Sequence, residues 1–162
     1  MISLKALLRL QKHLYSLTQK ERRTVPQRLV LKFGSIYLKS ALARRHGAYV
    51  EPRTRIGENV DFRHEMLGVF IAGLAEIGDD CVIYHHVTIG AHRRPGHPRE
   101  APKIGNRVFI GANATIIGRC VIGDDVRIGA GVTLVNATIP SGSLIINKSA
   151  FNSTTGEPVY GQ

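Results

Sequence analysis

The chain has 162 residues, which is enough for one domain with a sizeable core and a short additional segment. Its 22 Lys and Arg against 12 Asp and Glu give a net charge of +10, and thirteen of these cations precede residue 56, beside only Glu21 and Glu51. Such a basic segment is expected either to attract an anionic lipid surface or acidic polymer, or to form a solvated helical face. No nucleic-acid-binding motif or aromatic platform accompanies the charge, so no nucleic-acid partner is expected.

The N-terminus lacks the pattern of a leader peptide. The first ten residues, which include Lys5 and Arg9, are too charged for the apolar core of a signal peptide, and no apolar stretch reaches spanning length. Cys81 and Cys120 occupy positions typical of buried small residues and are not expected to form a disulfide, which favours a reducing compartment. The expected location is the cytoplasm, with peripheral contact at the inner face of the membrane as a further expectation.

Residues 1–47 are predicted to form an N-terminal α-helical segment. Apolar residues among Lys and Arg over residues 1–19 indicate a first amphipathic helix. Thr24 and Gln27 have the spacing of a capping box, and Pro26 suits the first turn of a second helix that ends near Gly47. We expect both helices to pack on one end of the domain that follows, with a position flat on a membrane as the alternative.

A six-residue period begins at Val50 and continues to Leu134. Aliphatic or aromatic residues recur at positions 50, 56, 62, 71, 77, 83, 89, 104, 110, 116, 122, 128 and 134. Four residues after eleven of these lies a small or branched residue, such as Thr54, Cys120 or Thr138, and Gly often follows the aliphatic residue directly. A period of six fits neither a helix nor an open sheet, but it is typical of a hexapeptide β-helix with three hexads in each coil. Residues 48–150 are therefore predicted to form a mainly β parallel β-helix, with Gly, Asn or Asp in its tight turns.

Two insertions interrupt the period. About three extra residues lie between positions 62 and 71, and about nine lie between 89 and 104, which predicts a loop over residues 91–102. Insertions in a solenoid emerge as loops and often mark the binding face. Residues 151–162 are polar and aperiodic, and are predicted to form a C-terminal tail.

Five of the seven histidines lie between positions 64 and 97. Counting three hexads in each coil places position 62 beneath 83, so His64 should stack on His85 at the usual strand spacing of about 4.8 Å. Two neighbouring imidazoles suggest acid–base chemistry or metal binding, but a metal needs three or four converging ligands, and no metal is expected. For His86 and His92, solvated surface positions are the better interpretation.

Residues 47–146 resemble the serine acetyltransferase branch of the hexapeptide-repeat acyltransferases. The segments that carry the resemblance are 62–64, 69–71, 75–80, 87–90, 101–105 and 128–131. The resemblance implies a left-handed parallel β-helix, a homotrimer, acetyl-CoA bound between neighbouring prisms, and His64 as general base.

Two departures from that branch bear on the acceptor. Tyr49 stands where the family has the Asp that orients its catalytic His, and Glu100 with Ala101 replaces an Arg-His pair associated with the carboxylate of the substrate. The short helical segment also looks like that of the relatives that O-acetylate polysaccharides. A hydroxyl of a sugar or polysaccharide is therefore the first expectation for the acceptor, and serine is the alternative.

The resemblance also suggests roles for individual residues. Glu65 or Glu51 is expected to orient His64, His85 to modulate it or hold the acceptor, and His97 and Arg94 of the loop to bind the acceptor. We expect acetyl-CoA to approach the backbone closely along a row of small residues. We expect its phosphate groups to lie beside two basic side chains. These positions are Gly90, Ala91, Gly111, Ala112, Gly129, Ala130, Lys103 and Arg127.

Two other classes of function remain open at this point. One is a non-catalytic β-helix that serves as a scaffold or binding module. The other is a zinc-dependent hydratase on the same fold, as in the γ-carbonic anhydrases, which would need three histidines from neighbouring subunits.

Overall fold

The computed structural model describes residues 46–92 and 99–146, together with residues 6, 9, 10, 13, 14, 16, 17 and 34 of the N-terminal segment. Those isolated N-terminal residues are helical, as is His46. Most of the predicted segment 1–47, the predicted tail 151–162, and the loop residues Arg94 and His97 lie outside the described residues. In the part of the chain that is described, no helix has both the length and the apolar character needed to cross a membrane.

Fifteen short strands form three parallel five-stranded sheets. The first sheet contains β1 (Tyr49–Val50), β4 (Phe70–Ile71), β7 (Thr88–Gly90), β10 (Thr115–Ile117) and β13 (Thr133–Val135). The second contains β2 (Arg55–Ile56), β5 (Glu76–Ile77), β8 (Lys103–Ile104), β11 (Val121–Ile122) and β14 (Thr138–Ile139). The third contains β3 (Asp61–Phe62), β6 (Val82–Ile83), β9 (Phe109–Ile110), β12 (Arg127–Ile128) and β15 (Leu144–Ile145).

Successive strands of the chain belong to the first, second and third sheet in turn, so the backbone winds into a left-handed parallel β-helix of five coils. Phe62 pairs with Ile83, and Ile77 pairs with Ile104 on the far side of the long insertion. This register confirms the coil order predicted from the six-residue period, including the positions of both insertions.

The core of the β-helix is a column of aliphatic side chains at the repeat positions. Ile71, Ile83, Ile110 and Ile128 are fully buried. Among the described residues, the positions four residues later are also buried from Thr54 to Val132, as the period predicts. Thr138 is an exception, because the last coil is one residue shorter there: Ile139 pairs with Ile122, and Ala137 packs on the core while Thr138 is exposed.

The tight turns use Asn, Asp and Gly, as predicted, and Arg in one coil. Along the corner between the second and third sheets, the left-handed backbone conformation falls on Asn59, Asp80, Arg107, Asp125 and Gly142, with φ of 54°, 56°, 55°, 59° and 74°. The glycines that follow the aliphatic residues have another role there. A Cβ atom on Gly78 would lie 2.5 Å from the carbonyl oxygen of Gly105 in the next coil, so the close spacing of coils excludes a side chain.

Candidate active site

His64 and His85 lie at the corner where the third sheet gives way to the first. Each follows its paired strand residue, Phe62 or Ile83, by two positions. The same corner continues upward through Ala112 and Ala130, since Asn113 N–H donates to the carbonyl of His85 at 3.1 Å and Gly131 N–H donates to that of Ala112 at 2.8 Å. The corner therefore presents two imidazoles followed by two methyl groups. The side chains that project from the later coils at this corner are thus small.

The segment that carries His64, which we name the His64 turn (Arg63–Met66), has an unusual backbone. His64, Glu65 and Met66 have φ of 51°, 53° and 65°, in the left-handed region that residues other than glycine rarely enter. Each such residue costs on the order of 1–3 kcal/mol, and strained residues of this kind cluster at active sites. This strain makes the His64 turn the first candidate for a functional segment.

Three contacts hold the His64 turn in place. The Met66 side chain is fully buried in the core. The carbonyl of Leu67 accepts a hydrogen bond from His86 N–H at 2.7 Å, and the carbonyl of His46 accepts one from Gly68 N–H at 2.8 Å. The exposed His64 ring thus sits on a backbone whose ends are fixed by both the core and the next coil.

The rings of His64 and His85 are in direct contact, which confirms the predicted stacking. The two Nδ1 atoms are 2.7 Å apart, and the ring centroids are 4.7 Å apart. A hydrogen bond between two ring nitrogens requires one protonated and one bare nitrogen, so at least one of the two imidazoles is neutral in this arrangement. Tyr84 meets the His64 ring edge-on at 5.6 Å, and His86 meets the His85 ring at 5.5 Å.

The same distance bears on the zinc hypothesis. Two nitrogens on one tetrahedral zinc, each about 2.0–2.1 Å from the metal, stand about 3.3 Å apart. The Nδ1 atoms of His64 and His85 are closer than that and fit a hydrogen bond. Within residues 46–92 and 99–146, no third His, Cys, Asp or Glu converges with another two into a metal-binding group.

The carboxylates expected to orient His64 have other partners. Glu65 lies 3.8 Å from the Nδ1 atom of His46, a residue that is only 6% exposed. Glu51 accepts a hydrogen bond from Gly73 N–H at 3.0 Å and lies 3.8 Å from Nε of Arg53. The expectation that Glu65 or Glu51 orients His64 does not fit these contacts. The His64 turn directs Glu65 toward His46, and Glu51 caps a different corner.

The residues predicted to bind acetyl-CoA fall into two regions of one chain. Gly111, Ala112, Gly129 and Ala130 lie on the corner of His64, and Arg127 is exposed on the outer face of the third sheet beside it. The others are Gly90 and Ala91, at the corner between the first and second sheets, and Lys103, on the outer face of the second sheet. One chain therefore does not bring all eight together.

Gly111 also has a structural reason to be glycine. A Cβ atom there would lie 2.6 Å from the backbone nitrogen of Ala130 in the next coil. Its small size is thus required by coil stacking, whatever binds at the corner.

An antiparallel bridge joins the two described ends of the long insertion. His92 and Glu100 form an antiparallel bridge, with backbone N–H to carbonyl distances of 2.8 and 2.9 Å in the two directions. This bridge lies at the corner between the first and second sheets, so Glu100 and Ala101 are on a different corner from His64 of the same chain.

Two neighbours of the histidine pair were not anticipated from sequence. The structure buries His46 beneath the His64 turn. Tyr84 lies between the rings of His64 and Phe109, 5.2 Å from the latter. The coil map could have located Tyr84, which is one position before His85, but the path of the insertion that brings Glu65 to His46 has no periodic signal.

The comparisons with known proteins agree with one another. Residues 101–136 match the bacterial transferase hexapeptide family, described as six repeats. A serine acetyltransferase from Helicobacter pylori strain J99 is 40% identical over 104 residues, covering 64% of this chain and 59% of that protein. One from Mycobacterium tuberculosis is 41% identical over 99 residues, covering 61% of this chain and 42% of that protein.

Solved structures agree with the sequence relatives. The crystal structure of Neisseria gonorrhoeae serine acetyltransferase in complex with serine matches with a TM-score of 0.73 and 28% identity, over 92% of this chain and 55% of that one. The chain thus spans roughly half the length of the relatives it matches. In its repeat, its five coils and these relatives, the chain is similar to the hexapeptide-repeat transferases, and in particular to serine acetyltransferases.

Proposed function

We propose that the protein is an acetyl-CoA-dependent O-acetyltransferase with His64 as its general base. The observation that supports this most directly is the strained His64 turn, which holds an exposed imidazole against His85 at 2.7 Å. Because Nδ1 of His64 is engaged by His85, its Nε2 atom is the one left to meet an acceptor hydroxyl. A general base in this position is typically worth about 10²- to 10⁴-fold in rate.

Acetyl-CoA supplies an activated acetyl group, and the chain supplies the proton transfer and the positioning. His64 Nε2 takes the hydroxyl proton as the oxygen attacks the thioester carbonyl, and the same proton then passes to the departing sulfur. The products are an O-acetyl ester and free coenzyme A thiol. Ala112 and Ala130 fit the passage of the donor along the corner, since their methyl groups leave room above the imidazoles, and Arg127 stands exposed nearby.

Serine is the acceptor we propose first, which reverses the order expected from sequence. The preference for a saccharide came from Tyr49, from Glu100 with Ala101 and from the short helical segment. Glu100 lies on another corner of the same chain, so only a neighbouring copy could bring it to His64. The named relatives are serine acetyltransferases, and none of those reported above is described as acting on a sugar. A saccharide hydroxyl stays the second candidate, because an acidic Glu100 does not attract a carboxylate.

We also propose that the active assembly is a homotrimer. The predicted donor-binding residues occupy two corners of one chain, and a groove between neighbouring copies is the arrangement that unites them. Light scattering during size-exclusion chromatography should give three times the chain mass of 17.8 kDa. A fully active monomer would overturn this proposal.

The test of the activity is the release of coenzyme A thiol from acetyl-CoA with serine, and separately with simple and nucleotide sugars. The base-deficient variant is His64→Asn, because Asn tolerates the left-handed φ of 51° that Ala would strain. His13→Ala is the matched control, since it removes an exposed helical histidine outside the β-helix.

Each outcome decides between the candidates. Serine-dependent thiol release that falls at least about 10²-fold in His64→Asn, but not in His13→Ala, supports the proposal. Turnover with a sugar alone reinstates the saccharide as acceptor. Absence of turnover with every acceptor, together with no acetyl-CoA binding by calorimetry, leaves the non-catalytic scaffold.

A further inference from the structure

We infer that His85 is a positioning residue that fixes the tautomer of His64, in the place that a carboxylate would otherwise occupy. This rests on the proposed function of His64 as general base. The relevant contact is the Nδ1 to Nδ1 distance of 2.7 Å between the two rings. Of the two carboxylates expected to orient His64, Glu65 lies 3.8 Å from His46 Nδ1, and Glu51 accepts a hydrogen bond from Gly73 N–H.

The direction of this hydrogen bond decides whether His64 works. If His64 Nδ1 carries the proton, His85 Nδ1 accepts it, and the Nε2 lone pair of His64 is free to take the hydroxyl proton. If His85 donates instead, His64 carries its proton on Nε2 and has no lone pair facing the acceptor. His85 in its Nε2–H form is therefore the productive partner.

Burial favours the productive direction. His64 is exposed, whereas His85 is half-buried between the rings of Tyr84 and His86. The positive charge that arrives with the hydroxyl proton is better solvated on the exposed ring, and a half-buried ring penalises charge. After proton uptake, His64 donates from Nδ1 to a neutral His85, and it returns the Nε2 proton to the sulfur that leaves.

A partner for His64 other than His85 would have to come from the side chains near the pair. The other charged or titratable groups around the pair are Tyr84, His86, Arg63, Glu65 and His46. The Asp61 carboxylate lies 2.9 Å from Arg63, and the Glu65 carboxylate lies beside His46. Neither of these two carboxylates therefore takes the place of His85.

Two variants of His85 distinguish its role as a hydrogen-bond acceptor for His64 from its contribution to packing. Asn places its Oδ1 atom close to where His places Nδ1, so His85→Asn keeps an acceptor for His64. Leu has a similar bulk without any acceptor, so His85→Leu removes it. We expect kcat to stay within about threefold in His85→Asn and to fall about 10- to 100-fold in His85→Leu, as for other residues that fix a histidine tautomer.

The decisive measurement is ¹⁵N NMR of the imidazole nitrogens in wild type, His85→Asn and His85→Leu at pH 8, assigned with His64→Asn. We expect His64 to be protonated at Nδ1 in wild type and in His85→Asn, and to move toward the Nε2–H form in His85→Leu.

An Nε2–H form of His64 in the wild-type protein would overturn the inference, as would an unchanged tautomer in His85→Leu. If His85→Leu does not fold, the wild-type and His85→Asn spectra still decide. The NMR result does not depend on turnover, so failure of the dyad and failure of the proposed acetyl transfer are distinguishable.

Discussion

Asp124 Oδ1 accepts a hydrogen bond from the backbone N–H of Asn106 at 2.7 Å, although 18 residues separate the two in sequence. Asn106 in turn uses its own side-chain oxygen to accept from Asp79 N–H at 2.9 Å, and Asp79 accepts from Glu58 N–H at 2.7 Å. The corner between the second and third sheets is therefore held by a ladder of side-chain oxygens, each of which caps the coil beneath it.

Removing one rung of this ladder should destabilise the β-helix. We expect Asp124→Ala to lower the free energy of unfolding by about 1–2 kcal/mol, because the Asn106 N–H loses a charged acceptor. Asp124→Asn is the matched control and should cost less, since Oδ1 is retained. Urea denaturation followed by circular dichroism measures both, and equal losses in the two variants would show that the hydrogen bond is not the source.

The glycines that follow the aliphatic residues at this corner should be intolerant of any side chain. In Gly78→Ala the new Cβ would lie 2.5 Å from Asn106 Oδ1 and from the Gly105 carbonyl oxygen, so coils must separate. A loss of about 1–3 kcal/mol is expected from such overpacking. Gly142→Ala is the comparison, since its Cβ meets nothing within 4 Å and only its φ of 74° is strained. A smaller midpoint shift in Gly78→Ala than in Gly142→Ala would contradict this account.

The repeat positions explain why so much of the fold could be predicted. Each hexad contributes one inward aliphatic residue and one buried corner residue, so Ile71 to Ile128 fix both the sheets and the register without any long-range information. The position of His85 above His64 follows from that register alone. The one-residue shortening of the last coil could not be predicted, because Ala137 and Thr138 are both small enough for the buried corner position. Only the packing of the folded chain places Ala137 inward.

The partners of His64 could not be predicted in the same way. The extra residues between Phe62 and Ile71 break the period, and three consecutive left-handed residues then set where Glu65 points. Backbone conformations of that kind have no propensity signal outside Gly, Asn, Asp and His, so nothing in the sequence indicates them at Glu65 and Met66. The prediction that Glu65 orients His64 therefore rested on proximity in sequence, and the turn carries its carboxylate to His46 instead.

The ion pair between Arg107 and Asp125 should make stability depend on acid. The guanidinium donates to Oδ1 and Oδ2 at 2.7 and 2.8 Å, and this hydrogen bonding holds the pKa of Asp125 below its ordinary 3.8. A lowered folded-state pKa contributes stability above pH 3.8 that is lost as pH falls through the lower folded value. Since both side chains are exposed, the effect is small.

Thermal melts of wild type and Arg107→Gln measure this contribution. The melting temperature of wild type should exceed that of the variant at pH 7, and the gap should close below the ordinary pKa of the carboxyl. Because high salt screens exposed charges, the gap at pH 7 should also narrow as ionic strength rises. A gap that is constant from pH 7 to pH 2 would assign the difference to packing of the Arg107 side chain.

The two cysteines should be inert in the folded protein. Both are free and buried, and burial raises the pKa of the Cys81 thiol, which lowers the fraction of reactive thiolate. We expect a disulfide-exchange reagent at pH 8 to modify both thiols of each chain in denaturant. Over the same time it should modify neither thiol of the folded protein. Cys81→Ala should leave one slow thiol rather than a fast one. Rapid native labelling of Cys81 would mean that the second coil opens locally, and its rate would then report the free energy of that opening rather than the burial seen here.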